Sequence, residues 1–95
     1  LEKQKRRNQA TQRNRQYRLL RDIEKELKPL EEKINQLNRE KDDIEEKLCQ
    51  REILQDSQKV QVLMTDLNRI NNDLEYLIIK WEEVIKEKER ITEIR

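Results

Sequence analysis

Eight basic side chains crowd the first 21 residues: Lys3, Lys5, Arg6, Arg7, Arg13, Arg15, Arg18 and Arg21, opposed only by Glu2. Cations at this density can neutralise phosphates and release the counterions condensed on a nucleic acid. Arginine adds a planar fork that matches phosphate with paired hydrogen bonds. Tyr17 is the one aromatic among them and is placed to stack on an RNA base. At helical spacing Arg6, Arg13 and Arg21 fall near one side, and Arg7, Arg15 and Arg18 broaden the patch. The rest of the chain holds fourteen basic and twenty acidic side chains, so a net charge of +1 conceals a basic arm on an acidic remainder. Such asymmetry points to an anionic partner. A solvated extension whose charges only maintain solubility fits the same composition.

Other chemistry is excluded by residue type. Without histidine there is no imidazole base, triad or helical zinc site, and without glycine there is no phosphate-cradling loop. The pairs Asp42–Asp43, Glu45–Glu46 and Glu82–Glu83 are expected on solvated faces, where nothing shifts a carboxylate toward catalytic use. Cys49 stands alone, which rules out an internal disulfide or a metal quartet. It reads as an incidental small side chain rather than a nucleophile. The expectation is therefore no catalytic residue, no cofactor and no metal. No apolar run approaches a membrane span, and no signal peptide is evident. A cytoplasmic setting and no membrane partner follow. A first residue other than Met suggests a piece of a longer protein.

The elements that would position the basic residues are long helices. Charged residues make up 45% of the chain and hydrophobic ones 33%, too few apolar side chains to line a compact core but enough for a seam between two helices. One apolar series runs Leu20, Ile23, Leu27, Leu30, Ile34, Leu37, Lys41, Ile44, Leu48. A second runs Val60, Leu63, Leu67, Ile70, Leu74, Leu77, Trp81, Val84, Lys88, Ile91. Steps of three and four alternate without a break in both, which is the heptad pattern of a coiled coil. Lys41 and Lys88 read as snorkelling lysines that set register. Trp81 reads as a packing residue whose indole N–H reaches the seam edge.

Continuing the first phase past Leu48 would place polar Arg51 and Gln55 in the seam, so one uninterrupted helix is disfavoured. Asp56 or Ser57 can cap a new helix, and Ile53 and Leu54 could fold over the seam end. A short connection makes the two helices antiparallel neighbours. The expected fold is thus all-α, a two-helix antiparallel coiled-coil hairpin with a basic N-terminal helical extension. Residues 1–19 form the arm or linker and 20–95 the hairpin, with a loop at about 50–58. Two registers mesh the seams. One sets Leu37 against Leu74 and Leu20 against Ile91; the other slides one heptad and sets Leu37 against Leu67 and Tyr17 against Lys88. Pro29 lacks an N–H and disfavours helical geometry at Lys28. Either the helix kinks there or a separate basic helix ends there, and the unbroken seam phase favours the kink.

Several pieces resemble the C-terminal domain of Uup-like ABC-F ATPases. They are the heptad helix through Ile34–Leu37 and Ile44–Leu48, the loop Arg51-Glu52-Ile53-Leu54-Gln55-Asp56, the restart Gln58-Lys59-Val60, and the closing Lys80-Trp81-Glu82-Glu83-Val84. The loop with its Lys-Val restart and the Trp-Glu-Glu ending discriminate best among coiled coils. The basic stretch before Pro29 resembles the linker after the second ATPase domain, although here it is rich in Gln and Arg where the family more often has Lys and Glu. The resemblance implies a cytoplasmic parent with two ATPase domains acting on ribosomes in translation or antibiotic protection. Its C-terminal domain would bind rRNA, tRNA or DNA, or help position the parent.

Two other classes fit the residues. A structural spacer or dimerisation coiled coil would self-associate as a homo-oligomer and show no salt-sensitive binding. A tRNA-binding arm of a synthetase would bind tRNA and not DNA.

Overall fold

The computed structural model describes residues 2–93, and all its elements there are helical. Helix α1 spans Glu2–Leu48, a single turn α2 spans Arg51–Leu54, and α3 spans Ser57–Glu93. The molecule is a rod 79 Å long and about 15 Å across. Its radius of gyration of 22.2 Å is far above the ~12 Å of a compact chain of this length. An extended hairpin, not a globule, is what a scarce apolar supply arranged in stripes should produce.

α1 and α3 run antiparallel. Gln16 donates from Nε2 to the Ile91 carbonyl at 2.7 Å, Glu24 pairs with Lys88, and Glu31 accepts a bond from the Trp81 indole at 3.1 Å. These contacts select between the two registers. Glu24–Lys88 and Glu31–Trp81 lie one residue from the alignment that sets Leu20 against Ile91. The alternative would carry each pair a heptad apart. Ile23, Leu27 and Val84 form a buried cluster, flanked by Leu30, Trp81, Ile85 and Ile91. Every seam position in both helices is buried or half-buried, including Lys41 and Lys88. Of the fully enclosed residues Ile23, Leu27, Ile70, Leu74, Leu77 and Val84, each is a seam residue.

The connection is built from local bonds. Cys49 and Gln50 close α1 by donating to the carbonyls of Glu46 and Lys47 at 3.1 and 3.0 Å. Asp56 then starts α3, because its Oδ1 accepts from the backbone N–H groups of Gln58 and Lys59 at 3.1 and 3.3 Å. Those N–H groups have no partner inside a helix that is only beginning, so the aspartate side chain supplies one. Of the two residues expected to cover the seam end, only Ile53 does so; it is half-buried. Leu54 is 57% exposed, since a single helical turn can aim only one of two adjacent side chains inward.

α1 continues through Pro29, so no separate basic helix ends there. The ring removes the N–H that would bond the Lys25 carbonyl. Pro29 is exposed, and water can serve that carbonyl where a buried one would be left unsatisfied.

The burial pattern sets a graded outcome for truncations. Ile70→Ala, at 2% exposure, should destabilise the hairpin by about 2–5 kcal/mol. Leu54→Ala should change it by no more than about 0.5 kcal/mol, and Asp56→Ala should cost about 1 kcal/mol. Urea unfolding followed by circular dichroism checks all three, and equal effects of Ile70→Ala and Leu54→Ala would contradict the assigned packing.

Candidate nucleic-acid interface

α1 outlasts its partner. The Gln16 side chain reaches back to the Ile91 carbonyl, and residues 2–15 of α1 lie beyond the level of α3's last described turns and are exposed throughout. About 14 residues of helix, or ~21 Å, therefore stand clear of the hairpin. Such a segment would be marginal as a free peptide because helix nucleation is costly. Here the nucleus already exists in the paired part of α1, and each added residue needs only the propagation step. Thr11 caps the carbonyl of Arg7 with its hydroxyl at 2.8 Å.

Lys3, Lys5, Arg6, Arg7, Arg13, Arg15, Tyr17, Arg18 and Arg21 all sit on this overhang or at its root, and all are exposed. None of the eight cations has an ion-pair partner among the described residues. Unpaired surface cations remain hydrated and available to an anion. Arg21 lies 5.9 Å from the centre of the Tyr17 ring, an attraction of about 0.5–1 kcal/mol at an exposed site. This occupies one face of the only aromatic expected to stack on a base, though Tyr17 remains 65% exposed.

Helix phase separates cations that residue spacing grouped: Arg21 does not share a side with Arg6 and Arg13. Arg6 and Arg13 stand in steps of seven from Leu20, toward the seam side of α1. Arg7, Arg18 and Arg21 stand on the opposite, outward side. Lys25 and Lys28, both exposed, continue that side into the paired region. Sequence reasoning ended the patch at Arg21 because acids resume at Asp22. Following the outward helical positions past that point would have found both lysines.

The remaining candidates gather no site. Cys49 is a free, exposed thiol at the tip. Asp42, Asp43, Glu45, Glu46, Glu82 and Glu83 are exposed, and no group of acids and thiols suited to a metal ion occurs among the described residues. Trp81 is half-buried against the apolar cluster and hydrogen-bonded to Glu31, a packing role. A shallow groove of about 520 Å³ at the tip is lined by Lys47, Ile53, Gln58, Lys59, Val62 and Leu63. It is open to solvent and brings no nucleophile or acid–base pair together. No helix among the described residues is long and apolar enough to cross a membrane.

The Glu24–Lys88 pair is partly exposed on both sides, so it should contribute only about 0.2–1 kcal/mol. A double-mutant cycle with Glu24→Gln and Lys88→Gln, read by thermal unfolding, should return a coupling in that range. A coupling of zero would leave the Trp81–Glu31 bond as the selector of register.

Searches among curated proteins and among solved structures returned no match. The ABC transporter C-terminal domain family matches residues 18–84, the span that contains most of the paired helices and all of their connection. A match over this much of the sequence, on a hairpin of the expected shape, means that the chain belongs to the ABC transporter C-terminal domain family.

Proposed function

We propose that this chain is a non-catalytic accessory module of a cytoplasmic ABC-F ATPase, that it binds nucleic acid or the ribosome during translation, and that its long helices pack as an antiparallel coiled coil. The observation that carries the reading is the basic overhang. Six cations stand on the part of α1 that projects beyond the hairpin and two more, Arg18 and Arg21, at its root, and none of the eight is ion-paired among the described residues. A helix polar on all sides that buries nothing gains no packing energy, and a dense cationic surface favours a polyanion that replaces its counterions. Supercoiling is supported by seam steps of three and four over nine positions in α1 and ten in α3. On this reading residues 1–19 act as the binding arm and linker to the ATPase domains, and 20–95 as the stalk.

A spacer or dimerisation role is favoured by a different observation. α3 exposes Val62, Met64, Tyr76, Ile78 and Ile79, each at 40% or more. Sedimentation equilibrium distinguishes the readings, because a dimerising hairpin should show a concentration-dependent mass without nucleic acid.

The direct test is fluorescence anisotropy with labelled rRNA, tRNA and duplex DNA at ~50 and ~200 mM salt. Affinity of the native chain should fall by roughly a hundredfold or more across that range. Changing Arg6, Arg7, Arg13, Arg15 and Arg18 to Gln should weaken the binding and reduce its salt dependence. Absence of binding at low salt, with helicity intact, would discard the nucleic-acid reading. Binding to tRNA alone would favour a tRNA-handling arm.

A further inference from the structure

The outward face of α1 has an organisation of its own. Lys3, Arg7, Arg18, Arg21, Lys25 and Lys28 follow one another at steps of three and four, with Thr11 and Asn14 filling the two positions between Arg7 and Arg18. At ~100° per residue these positions form a band half a turn away from the seam residues Leu20, Ile23, Leu27 and Leu30. The band is ~38 Å long at 1.5 Å per residue. It contains no acid until Glu32, although Asp22, Glu24 and Glu26 lie within the same span of sequence. All six cations are exposed and free of ion pairs among the described residues. The band crosses from the overhang onto the paired part of α1, so it is held straight over half its length by α3.

Three properties decide what this band suits. Its cations are in single file, so it meets closely spaced rows of phosphate better than the two walls of a wide groove. It carries no aromatic: Tyr17 lies to one side with Arg21 over its ring, so stacking on unpaired bases is not its mode. Its only uncharged polar members, Thr11 and Asn14, are too few to read base edges. The narrow major groove of A-form RNA brings two phosphate rows together and hides its bases, and double-stranded RNA is recognised by shape and backbone for that reason. The B-DNA major groove, ~12 Å wide, instead admits a whole helix and rewards contacts on both walls and the floor.

We propose that this outward band is a side-on binding surface for double-stranded RNA, laid across the phosphates of its narrow groove, with Lys25 and Lys28 as binding residues beyond the arm. The inference rests on the nucleic-acid reading above and deepens it. In this mode α1 lies against the RNA, while α3 and its exposed apolar residues face away. Lys5, on the seam side, and Arg6, Arg13 and Arg15, on the flanks, contribute little.

The test compares two variants of the full chain with equal loss of charge. One changes Arg18, Arg21, Lys25 and Lys28 to Gln, and the other changes Lys5, Arg6, Arg13 and Arg15 to Gln. All eight side chains are exposed and Gln is a good helix former, so circular dichroism should show both variants folded. Each is titrated against the same sequence as duplex RNA, duplex DNA and single-stranded RNA over a salt series. Duplex RNA should bind tightest. The outward variant should lower the slope of log affinity against log salt by roughly 3 units, close to one per cation removed; the other should change it by less than about 1. Equal losses in the two variants would overturn the band while leaving nucleic-acid binding intact. Tighter binding of duplex DNA or of the single strand would overturn the choice of ligand. No binding by the native chain to any of the three would overturn this inference and the reading beneath it together.

Discussion

Everything else in this molecule depends on two apolar stripes, neither of which can be buried by its own helix. An isolated helix of this composition exposes its stripe to water and gains nothing from its many charges. Pressing α1 against α3 removes both stripes from solvent at once, and each buried aliphatic side chain contributes about 1.5–3 kcal/mol against the entropy of ordering the chain. The polar devices are secondary to this. The Asp56 cap, the Glu24–Lys88 pair and the Trp81–Glu31 bond orient helices that burial has already brought together.

Pairing also explains where the chain turns. In the observed register Leu48 stands near the level of Leu63, so the first turn of α3 projects past the end of α1. Val60 and Leu63 would lose their cover there. α2 supplies it with Ile53, which occupies the place a further seam residue of α1 would have taken. Continuing α1 could not have done so, because the next positions in phase are Arg51 and Gln55. The turn therefore follows from seam chemistry as much as from any residue that breaks helices, which suits a chain without glycine.

At the other end the same register produces the overhang. α3 reaches Gln16 and α1 continues without it. The charge asymmetry of the sequence thereby becomes a spatial one: a basic helix clear of the hairpin and an acidic hairpin body. Membership of the ABC transporter C-terminal domain family accords with a module attached to other domains.

The helices, the seam residues and the capping of α3 were legible in the sequence, because each rests on local chemistry or on a period of three and four residues. So was the basic character of the arm. The register was not, since sliding one helix by a heptad meshes the same apolar stripes and hydrophobic contact alone is nearly indifferent to the slide. Specific partners decide it: Lys88 reaches Glu24 and the Trp81 indole reaches Glu31 only in one alignment. The inward aim of Ile53 over Leu54 and the division of the arginines between seam side and outward face also required the folded chain. These are questions of direction in space. Residue order fixes the angle of a side chain about its own helix, but which angle faces solvent is defined only once a second helix has taken its place.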